Sequence, residues 1–354
     1  MKNRILFFAF FGFITISCDS SSTQNEVSNG PNSEEAAGQW DIPVAEVLDG
    51  GPGRDGIPAL TNPDLVAADN INVLRDTDLV LGFKNGDDIR AYPHVILDWH
   101  EIINDNIGDV SLAVTYCPLT GTGIGWNRMV NGSETTFGVS GLLYNTNLIP
   151  FDRATESNWS QILNASVNGD LRGQEADLIM LVETDWGTWK SLYPETRVVG
   201  PNTGFSRTYG ISPYGDYSTN NDRFLFPVAK DGRLPLKERV HAIVDGADAK
   251  AYRFRDFDEG AIISDSFKGT DYLVVGNADF IVSFALGGNN AAEFEYVYDG
   301  SSDVIVQDGA GNRYNIFGEV VAGPASGQRL TPASGFMGFW FAIPAFYETA
   351  LYEE

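Results

Sequence analysis

The sequence predicts a β-dominated α+β fold with two homologous β-rich units that are packed with pseudo-two-fold symmetry. Three observations lead to this prediction. The 354 residues include 38 glycines and 16 prolines, which favours many turns and short strands over long helices. Short segments of alternating apolar and polar residues lie between Gly, Asn and Asp residues, as is typical of strands. The sequence also repeats itself at an offset of about 160 residues, which indicates an internal duplication.

The N-terminal residues 1–17 predict a lipoprotein signal peptide. A short basic stretch precedes an apolar segment, 5–16, which is shorter than the roughly 20 apolar residues of a transmembrane helix. Cys18 follows directly, where a bacterial lipoprotein carries its lipid. Residues 18–40 are rich in Ser, Asn and Glu without apolar periodicity, which indicates a disordered tether. We therefore expect an exported protein, anchored by lipid on Cys18 to the periplasmic or outer-surface face of a bacterial membrane. An ordinary secretory signal with an incidental cysteine is the alternative.

The first β-rich unit is predicted over 41–230, and it includes an N-terminal loop and the candidate site. Three of its segments alternate in polarity between turn residues, namely DIRAYP, SLAVTYC and TTFGVSG. The first of them completes a hairpin with an Asn-Gly pair at its turn. The segment HVILDWHEIIN predicts a short helix with an apolar face. The segment TDWGTWKSLYPE predicts another helix, which is capped by Thr184 or Asp185 and stopped by Pro194.

The second unit is predicted over 231–354 as a degenerate copy of the first. The segment that begins at Val80 reads VLGFKNGDDIRAYPHVILDWHEIINDNIGDVSLAVTY. The segment that begins at Val240 reads VHAIVDGADAKAYRFRDFDEGAIISDSFKGTDYLVVGN. Both contain a strand, a turn, a strand, a short apolar segment and two further strands. We expect the copies to span about 75–200 and 235–352.

The two copies differ at potentially reactive positions. Gly260 of the second copy stands in the place of His100. Ala261 stands in the place of Glu101. Ala278 stands in the place of Cys117, so the second copy keeps the scaffold without the reactive groups. We therefore expect any chemistry to lie in the first copy.

The acidic composition excludes one class of partner. The chain has a formal net charge of −25 at pH 7, and a surface of this charge repels nucleic acid. We expect no nucleic-acid partner, and we expect contact with a membrane through the N-terminal lipid.

Several long motifs resemble the bacterial family DUF3179, a domain of unknown function. They are GGPGRDGIPAL, AYPHVILDWHEIINDNIG, VTYCPLTGTGIGWNR and TFGVSGLLYNTNLIPFDRATESNWSQ. The resemblance implies an exported, often anchored bacterial protein with no assigned reaction. It also implies that many relatives read CPLC where this chain has Cys117 followed by Thr120, and that some relatives are possible selenoproteins. Such relatives point to thiol redox chemistry or soft-metal binding, whereas Thr120 rules out a local disulfide in this chain.

Cys117, His100 and Glu101 are the candidate catalytic residues. The chain has only 2 cysteines and 3 histidines, and one of each falls in this stretch. The thiolate is the reactive form of cysteine, and a nearby protonated histidine lowers the pKa of a thiol. The first hypothesis is thiol redox chemistry, in which Cys117 reacts with a protein thiol or a small-molecule substrate and requires no cofactor.

Other functions stay open at the same residues. Cys117 and His100 are also candidate ligands of copper or zinc. A third chemistry pairs them for acyl transfer, with Glu101 or Asp105 as the orienting group. Asp105 has a counterpart, Asp265, in the second copy, which favours a structural role for it. Two alternatives involve no catalysis. One is a buried inert thiol with a core histidine, and the other is a non-catalytic module that binds glycan or protein at the cell surface.

Four further residues are candidates for substrate binding. Asp55 lies in the loop GRDGIPAL, where it either contacts a ligand or caps the turn. Arg153, Glu156 and Trp159 lie in the polar stretch FDRATESNWSQ. Arg153 either orients an anionic substrate by a bidentate contact or pairs with Glu156.

Overall fold

The computed structural model of the protein describes residues 38–287 and 293–353. The predicted signal peptide, Cys18 and the predicted tether as far as residue 37 lie outside the described residues. Trp40 forms an isolated β-bridge with Asn168, so the end of the predicted tether belongs to the folded part.

Strands dominate the described residues, and the α-helices among them are short. The helices are α1 (His94–His100) and α2 (Trp186–Leu192), with 3-10 turns at Val44–Glu46, Ala68–Asn70, Phe254–Phe257 and Trp340–Ala342. This composition confirms the prediction of a β-dominated α+β fold.

The described strands are numbered in chain order. Those before residue 200 are β1 (Val47–Asp49), β2 (Leu60–Thr61), β3 (Leu65–Ala67), β4 (Leu79–Asn85), β5 (Asp88–Pro93), β6 (Ile102–Ile107), β7 (Val110–Cys117), β8 (Thr122–Asn127), β9 (Met129–Val130), β10 (Ser133–Glu134), β11 (Phe137–Tyr144), β12 (Asn147–Asp152), β13 (Asn158–Ser160), β14 (Ala165–Asn168), β15 (Leu178–Ile179), β16 (Val182–Asp185) and β17 (Arg197–Val199). Those after it are β18 (Arg239–Asp245), β19 (Asp248–Arg253), β20 (Ala261–Phe267), β21 (Thr270–Gly276), β22 (Ile281–Ala285), β23 (Phe294–Tyr296), β24 (Val304–Asp308), β25 (Arg313–Asn315), β26 (Val320–Ala322), β27 (Thr331–Pro332), β28 (Gly335–Phe339) and β29 (Glu348–Leu351).

The strands before residue 200 form three sheets of five strands and a small ribbon. The sheet orders are β16-β4-β5-β17-β3, β15-β8-β7-β6-β2 and β1-β11-β12-β13-β14, and β9 pairs with β10. The later strands form sheets of four strands with the orders β28-β18-β19-β29, β20-β21-β22-β27 and β23-β24-β25-β26. The predicted Asn-Gly hairpin is present as β4 and β5, which pair from Val80–Pro93 to Asn85–Asp88.

Helix α1 is shorter than the segment HVILDWHEIIN suggests. It ends at His100 because Glu101 has a φ of 57° and its N–H bonds to the Leu97 carbonyl at 2.7 Å. The next residues begin β6 with Ile102 and Ile103, and β-branched side chains favour strands. Helix α2 follows Asp185, which accepts a hydrogen bond from its third residue, as the sequence predicts.

The earlier and later halves of the chain share hydrophobic clusters. One cluster joins Cys117, Trp126 and Trp159 to Val240 and Trp340. A second cluster likewise mixes side chains from both halves of the chain. The halves therefore pack against each other through buried apolar surface, which is the main source of folding free energy.

A long connection leaves the first set of sheets after β17. Residues 200–238, all of which the structure describes, form no helix or strand. Connections of this length without secondary structure are uncommon in compact proteins and are usually functional. We call residues 200–238 the cover loop, because they lie over the candidate site.

Candidate functional site

Cys117 is the last residue of β7 and lies in the protein interior. It pairs with Thr122 of β8, and a tight turn joins the two strands, closed by a hydrogen bond from the Gly121 N–H to the Cys117 carbonyl at 2.8 Å. Its side chain is 1% exposed. The thiol donates a weak hydrogen bond to the Thr146 carbonyl, with Sγ and O 3.7 Å apart. The structure thus places this thiol beneath the surface.

The environment of Cys117 keeps its thiol protonated at rest. Burial raises the pKa of the thiol, and the charge of Glu101 raises it further. Hydrogen bonds involving Thr120 and the Leu148 backbone act in the opposite direction. A reaction at Cys117 therefore needs a group that removes the thiol proton, because the thiolate is the reactive form.

Glu101 is suited to accept a proton near neutral pH. Its backbone lies beside β7, where the Tyr116 N–H donates to the Glu101 carbonyl at 2.7 Å. Its side chain is 7% exposed and accepts a hydrogen bond from the Tyr214 hydroxyl at 3.1 Å. Burial, with a contribution from Asp98, raises the pKa of Glu101 to about 7. Its left-handed φ of 57° is a strained conformation for this residue type, and such strain is concentrated at functional sites.

His100 uses both ring nitrogens elsewhere. Nδ1 lies 2.7 Å from the Pro58 carbonyl, and Nε2 lies 2.6 Å from the Tyr209 hydroxyl. A carbonyl only accepts, so Nδ1 carries the proton and Nε2 accepts from Tyr209. Burial lowers the pKa of this ring. The structure bonds the Glu101 backbone to Tyr116, the residue before Cys117, whereas it ties His100 to two loops.

The cover loop lies over these residues. Tyr209 bonds to His100, and Tyr214 bonds to Glu101. Tyr217 donates to the carbonyl of Leu119 at 2.9 Å, two residues beyond Cys117. Each of these tyrosine hydroxyls thus holds the loop to a different part of the candidate site. The sequence does contain a signal for this loop. It is a long stretch rich in Gly, Asn and Ser that includes three tyrosines close together.

A cavity of about 320 Å³ is lined by neighbours of Cys117 and Glu101, although neither of these two residues is itself part of its wall. Its walls include Tyr116 and Pro118, the neighbours of Cys117 in sequence, and Tyr214, the partner of Glu101. We call it the Cys117 cavity. A larger cavity of about 1080 Å³ is lined by strands of both halves, but no candidate catalytic residue lines it.

His94 lines the Cys117 cavity, although the sequence gave no reason to place it there. It is 8% exposed, and its ring lies 4.3 Å from that of Tyr116. Its Nε2 lies 3.5 Å from the Glu183 carboxylate, yet neither of these two atoms has a hydrogen-bond partner. Burial and the charge of Arg239 lower the pKa of His94 to about 3, so the ring is neutral. Arg239 itself is bonded to Glu183.

Asp98 is a carboxyl group of α1 that lines this cavity. Burial raises the pKa of Asp98 to about 6, and a hydrogen bond with Ser212 of the cover loop opposes this. Asp98 and Glu101 are three residues apart, so they lie at the same end of α1. Perturbed carboxyl groups that gather at a cavity are typical of catalytic or binding sites.

The substrate-binding candidates lie apart from the Cys117 cavity. Arg153 forms a bidentate pair with Asp55, at 2.8 and 2.5 Å, and Glu156 is paired with Arg54 instead. These four side chains are partly exposed beside the ring of Phe151. Leu148, whose backbone interacts with Cys117, lies near the start of β12, whereas Arg153 follows its end. At about 3.3 Å per residue, these two residues are on the order of 15 Å apart.

Trp159 and Asp105 are buried structural side chains. Trp159 is 1% exposed and donates to Asp152 at 3.1 Å, so it does not face solvent with the other substrate-binding candidates. Asp105 accepts from Arg90 at 2.6 Å and from the Tyr92 hydroxyl at 2.8 Å. These partners leave Asp105 no role in orienting His100.

The described part of the chain gathers no group of three or more His, Cys, Asp or Glu side chains that could hold a metal ion. It also contains no helix that is long and apolar enough to cross a membrane.

The comparisons with known proteins agree with the motifs of the sequence. The model of a family described as "Protein of unknown function (DUF3179)" matches residues 54–350. No curated protein and no solved structure matches the chain. The family match includes the β7–β8 turn, α1 and the cover loop. Because it covers most of the chain, the protein belongs to the DUF3179 family.

Proposed function

We propose that this protein carries out thiol redox chemistry at Cys117 on a small molecule in the Cys117 cavity, with Glu101 as the proton acceptor. The observation that carries the proposal is the burial of Cys117 and Glu101 at adjoining positions, where the Tyr116 N–H bonds to the Glu101 carbonyl. Burial raises the pKa of both groups, that of Glu101 to about 7. A general base is most effective when its pKa lies near the working pH.

The chemical step follows from the protonation states. The thiol proton passes to Glu101 while Sγ attacks an electrophilic atom of the substrate, such as a peroxide oxygen or a disulfide sulfur. The bond that breaks releases an alkoxide, hydroxide or thiolate, which takes the proton back from Glu101. Cys117 is left as a sulfenic acid or a mixed disulfide. Because Thr120 occupies the position of a second cysteine, an external thiol must restore Cys117.

We also infer that the two halves are copies of one unit, as the repeated sequence suggests. The hairpin β18–β19 is followed by β20, β21 and β22 in the same order in which β6, β7 and β8 follow β4–β5. Tyr252 and Asp265 are bonded at 2.8 Å, as are Tyr92 and Asp105. By these strand registers the counterpart of Cys117 is Asn277 rather than Ala278.

The comparison of the copies supports a function for the first. At the offset of the repeat, His94 corresponds to Phe254. In the β-ladders, Glu183 faces Leu81 and Met337 faces His241, so Glu183 corresponds to Met337. The second copy thus has apolar side chains at the two positions where the first copy has His94 and Glu183. In the first copy, each of these residues buries a polar atom without a hydrogen bond, which lowers stability. Polar groups kept at such a cost favour a functional role over a structural one.

The alternatives have weaker support. Copper or zinc binding by Cys117 and His100 would require His100 to release Pro58 or Tyr209. A non-catalytic module for glycan or protein would need exposed aromatic side chains, whereas most of the described tryptophans are buried. We further infer, from the sequence, that the protein is exported and anchored through Cys18. Mass spectrometry of the mature N-terminus tests this, and an unmodified Cys18 would contradict it.

Alkylation of the native mature protein with iodoacetamide tests the proposed function. We expect labelling at Cys117 without denaturation, and at least tenfold slower labelling at pH 7 in Glu101→Gln. The direction is decisive, because the Glu101 charge alone raises the pKa of the thiol. If Glu101 acted only through its charge, Glu101→Gln would label at an equal or higher rate. A Cys117 that is labelled only after unfolding would sink the proposal altogether.

A further inference from the structure

The Cys117 cavity contains a carboxylate that lacks a cationic partner. Asp98 accepts a hydrogen bond from Ser212. Among the ion pairs of the described residues, none involves Asp98. Asp98 is partly buried, and a charge that is partly removed from water is costly unless a partner compensates it. A ligand with positive charge would supply that compensation.

The basic side chains around the cavity are already neutralised or fully bonded. Arg75 bonds to Asp78 at 2.6 Å, and Arg239 is paired with Glu183. Lys237 donates to backbone carbonyls, among them those of Asn220 at 2.9 Å and Arg223 at 2.6 Å. None of these cations is available to an anionic ligand unless it breaks an existing contact.

The ring of His94 lines the cavity as well, and burial with the charge of Arg239 keeps it neutral. A neutral ring in the wall does not repel a cation, as a protonated ring would. Its Nε2 is buried and lies 3.5 Å from the Glu183 carboxylate, so we assign it no contact with a ligand.

Aromatic rings form much of the remaining wall. Tyr116, Tyr214, Tyr217 and Phe339 line the cavity, and the faces of such rings attract ammonium groups. The formal charge of −25 also raises the local concentration of cations around the protein.

We propose that the Cys117 cavity binds a small cationic amine, with the ammonium group on the Asp98 carboxylate and the remainder of the molecule against the aromatic rings of the wall. The volume of about 320 Å³ limits the ligand to a small molecule. This inference rests on the proposed function only in taking this cavity as the substrate site. Amine binding does not require the thiol, so Cys117→Ser should bind amine as the wild type does.

Ligand-observed NMR with propylammonium, 1-propanol and propionate at equal ionic strength tests the proposal, because the three probes match in size. We expect propylammonium to bind at least tenfold more tightly than the other two. Asp98→Asn should weaken its binding at least tenfold, whereas the exposed control Asp170→Asn should leave it unchanged. If Asp98→Asn fails to fold, the ranking of the probes on the wild type decides. Equal or tighter binding of 1-propanol or propionate, no binding of propylammonium, or unchanged binding in Asp98→Asn would each overturn the proposal.

Discussion

Glu101 is the residue on which the chemistry of the site depends. It combines burial, a left-handed backbone and a hydrogen bond from Tyr214. A carboxyl group in this setting resists ionisation, because the protein interior solvates its charge poorly. Because its pKa is raised, Glu101 can accept a proton near pH 7. For the same reason, its ionised form destabilises the folded state at high pH.

The first prediction concerns the stability of Glu101→Gln. The folded-state pKa of about 7 lies above the ordinary unfolded value, so the carboxyl group favours folding below about pH 4 and loses that contribution as the pH rises through 7. We expect Glu101→Gln to match the wild type in free energy of unfolding at pH 4. At pH 8 we expect it to be more stable by on the order of 3 kcal/mol. Urea unfolding at both pH values measures this.

The exposed variant Glu195→Gln serves as the control for this measurement, since it changes the same residue type on the surface. A stability difference for Glu101→Gln that is the same at pH 4 and pH 8 would show that Glu101 titrates normally.

Sequence reasoning identified part of this site. Cys117 and Glu101 stood out because reactive residues are scarce and because the similar segment about 160 residues later lacks them. His94 did not stand out, because its surroundings come from Glu183 and Arg239, which are distant in sequence and meet it only in the fold. His100 seemed equally reactive in sequence, yet loop residues occupy both of its nitrogens.

At the scale of elements, we expect the cover loop to control access to the site, because its tyrosines bond to His100, Glu101 and Leu119. The strands and the two helices were largely predictable, because their alternation, turn residues and caps are local signals. The end of α1 was not, since the segment HVILDWHEIIN is apolar enough for either state. The course of residues 200–238 was not predictable either, because hydrogen bonds and apolar contacts with residues distant in sequence hold it in place.

The second prediction concerns Tyr217 of the cover loop. Tyr217→Phe keeps the ring but removes the hydrogen bond to the Leu119 carbonyl, which weakens loop closure by about 1 kcal/mol. We expect alkylation of Cys117 to become about fivefold faster, with its pH dependence unchanged. Thr219→Ala, an exposed position in the same loop, should label like the wild type. If Tyr217→Phe labels at the wild-type rate, the loop does not control access.

At the scale of the whole molecule, the two halves act as one folding unit. The repeat in the sequence suggested two units, but it could not reveal that Val240 and Trp340 would share a cluster with Trp126 and Trp159. Shared packing of this kind depends on which apolar faces meet, and sequence periodicity gives only the faces. The boundary near residue 230 remains a prediction, and the hydrophobic clusters extend across it.

The third prediction follows from the shared core. A half that is expressed alone would expose the apolar surface that its partner covers, and this loss exceeds the marginal stability of most proteins. We expect calorimetry of the mature protein to give a single transition, and residues 41–230 alone to be insoluble or unfolded. Two separated transitions, or a soluble first half with native circular dichroism, would contradict this account.

Oxidation of Cys117 tests the central claim most directly. The native protein is treated with hydrogen peroxide in the presence of dimedone, which traps sulfenic acid, and the adduct is located by mass spectrometry. The account predicts a dimedone adduct on Cys117 in the folded protein, formed at least tenfold more slowly in Glu101→Gln at pH 7. An adduct that forms only after the protein is unfolded would contradict it and would leave Cys117 as a buried core thiol.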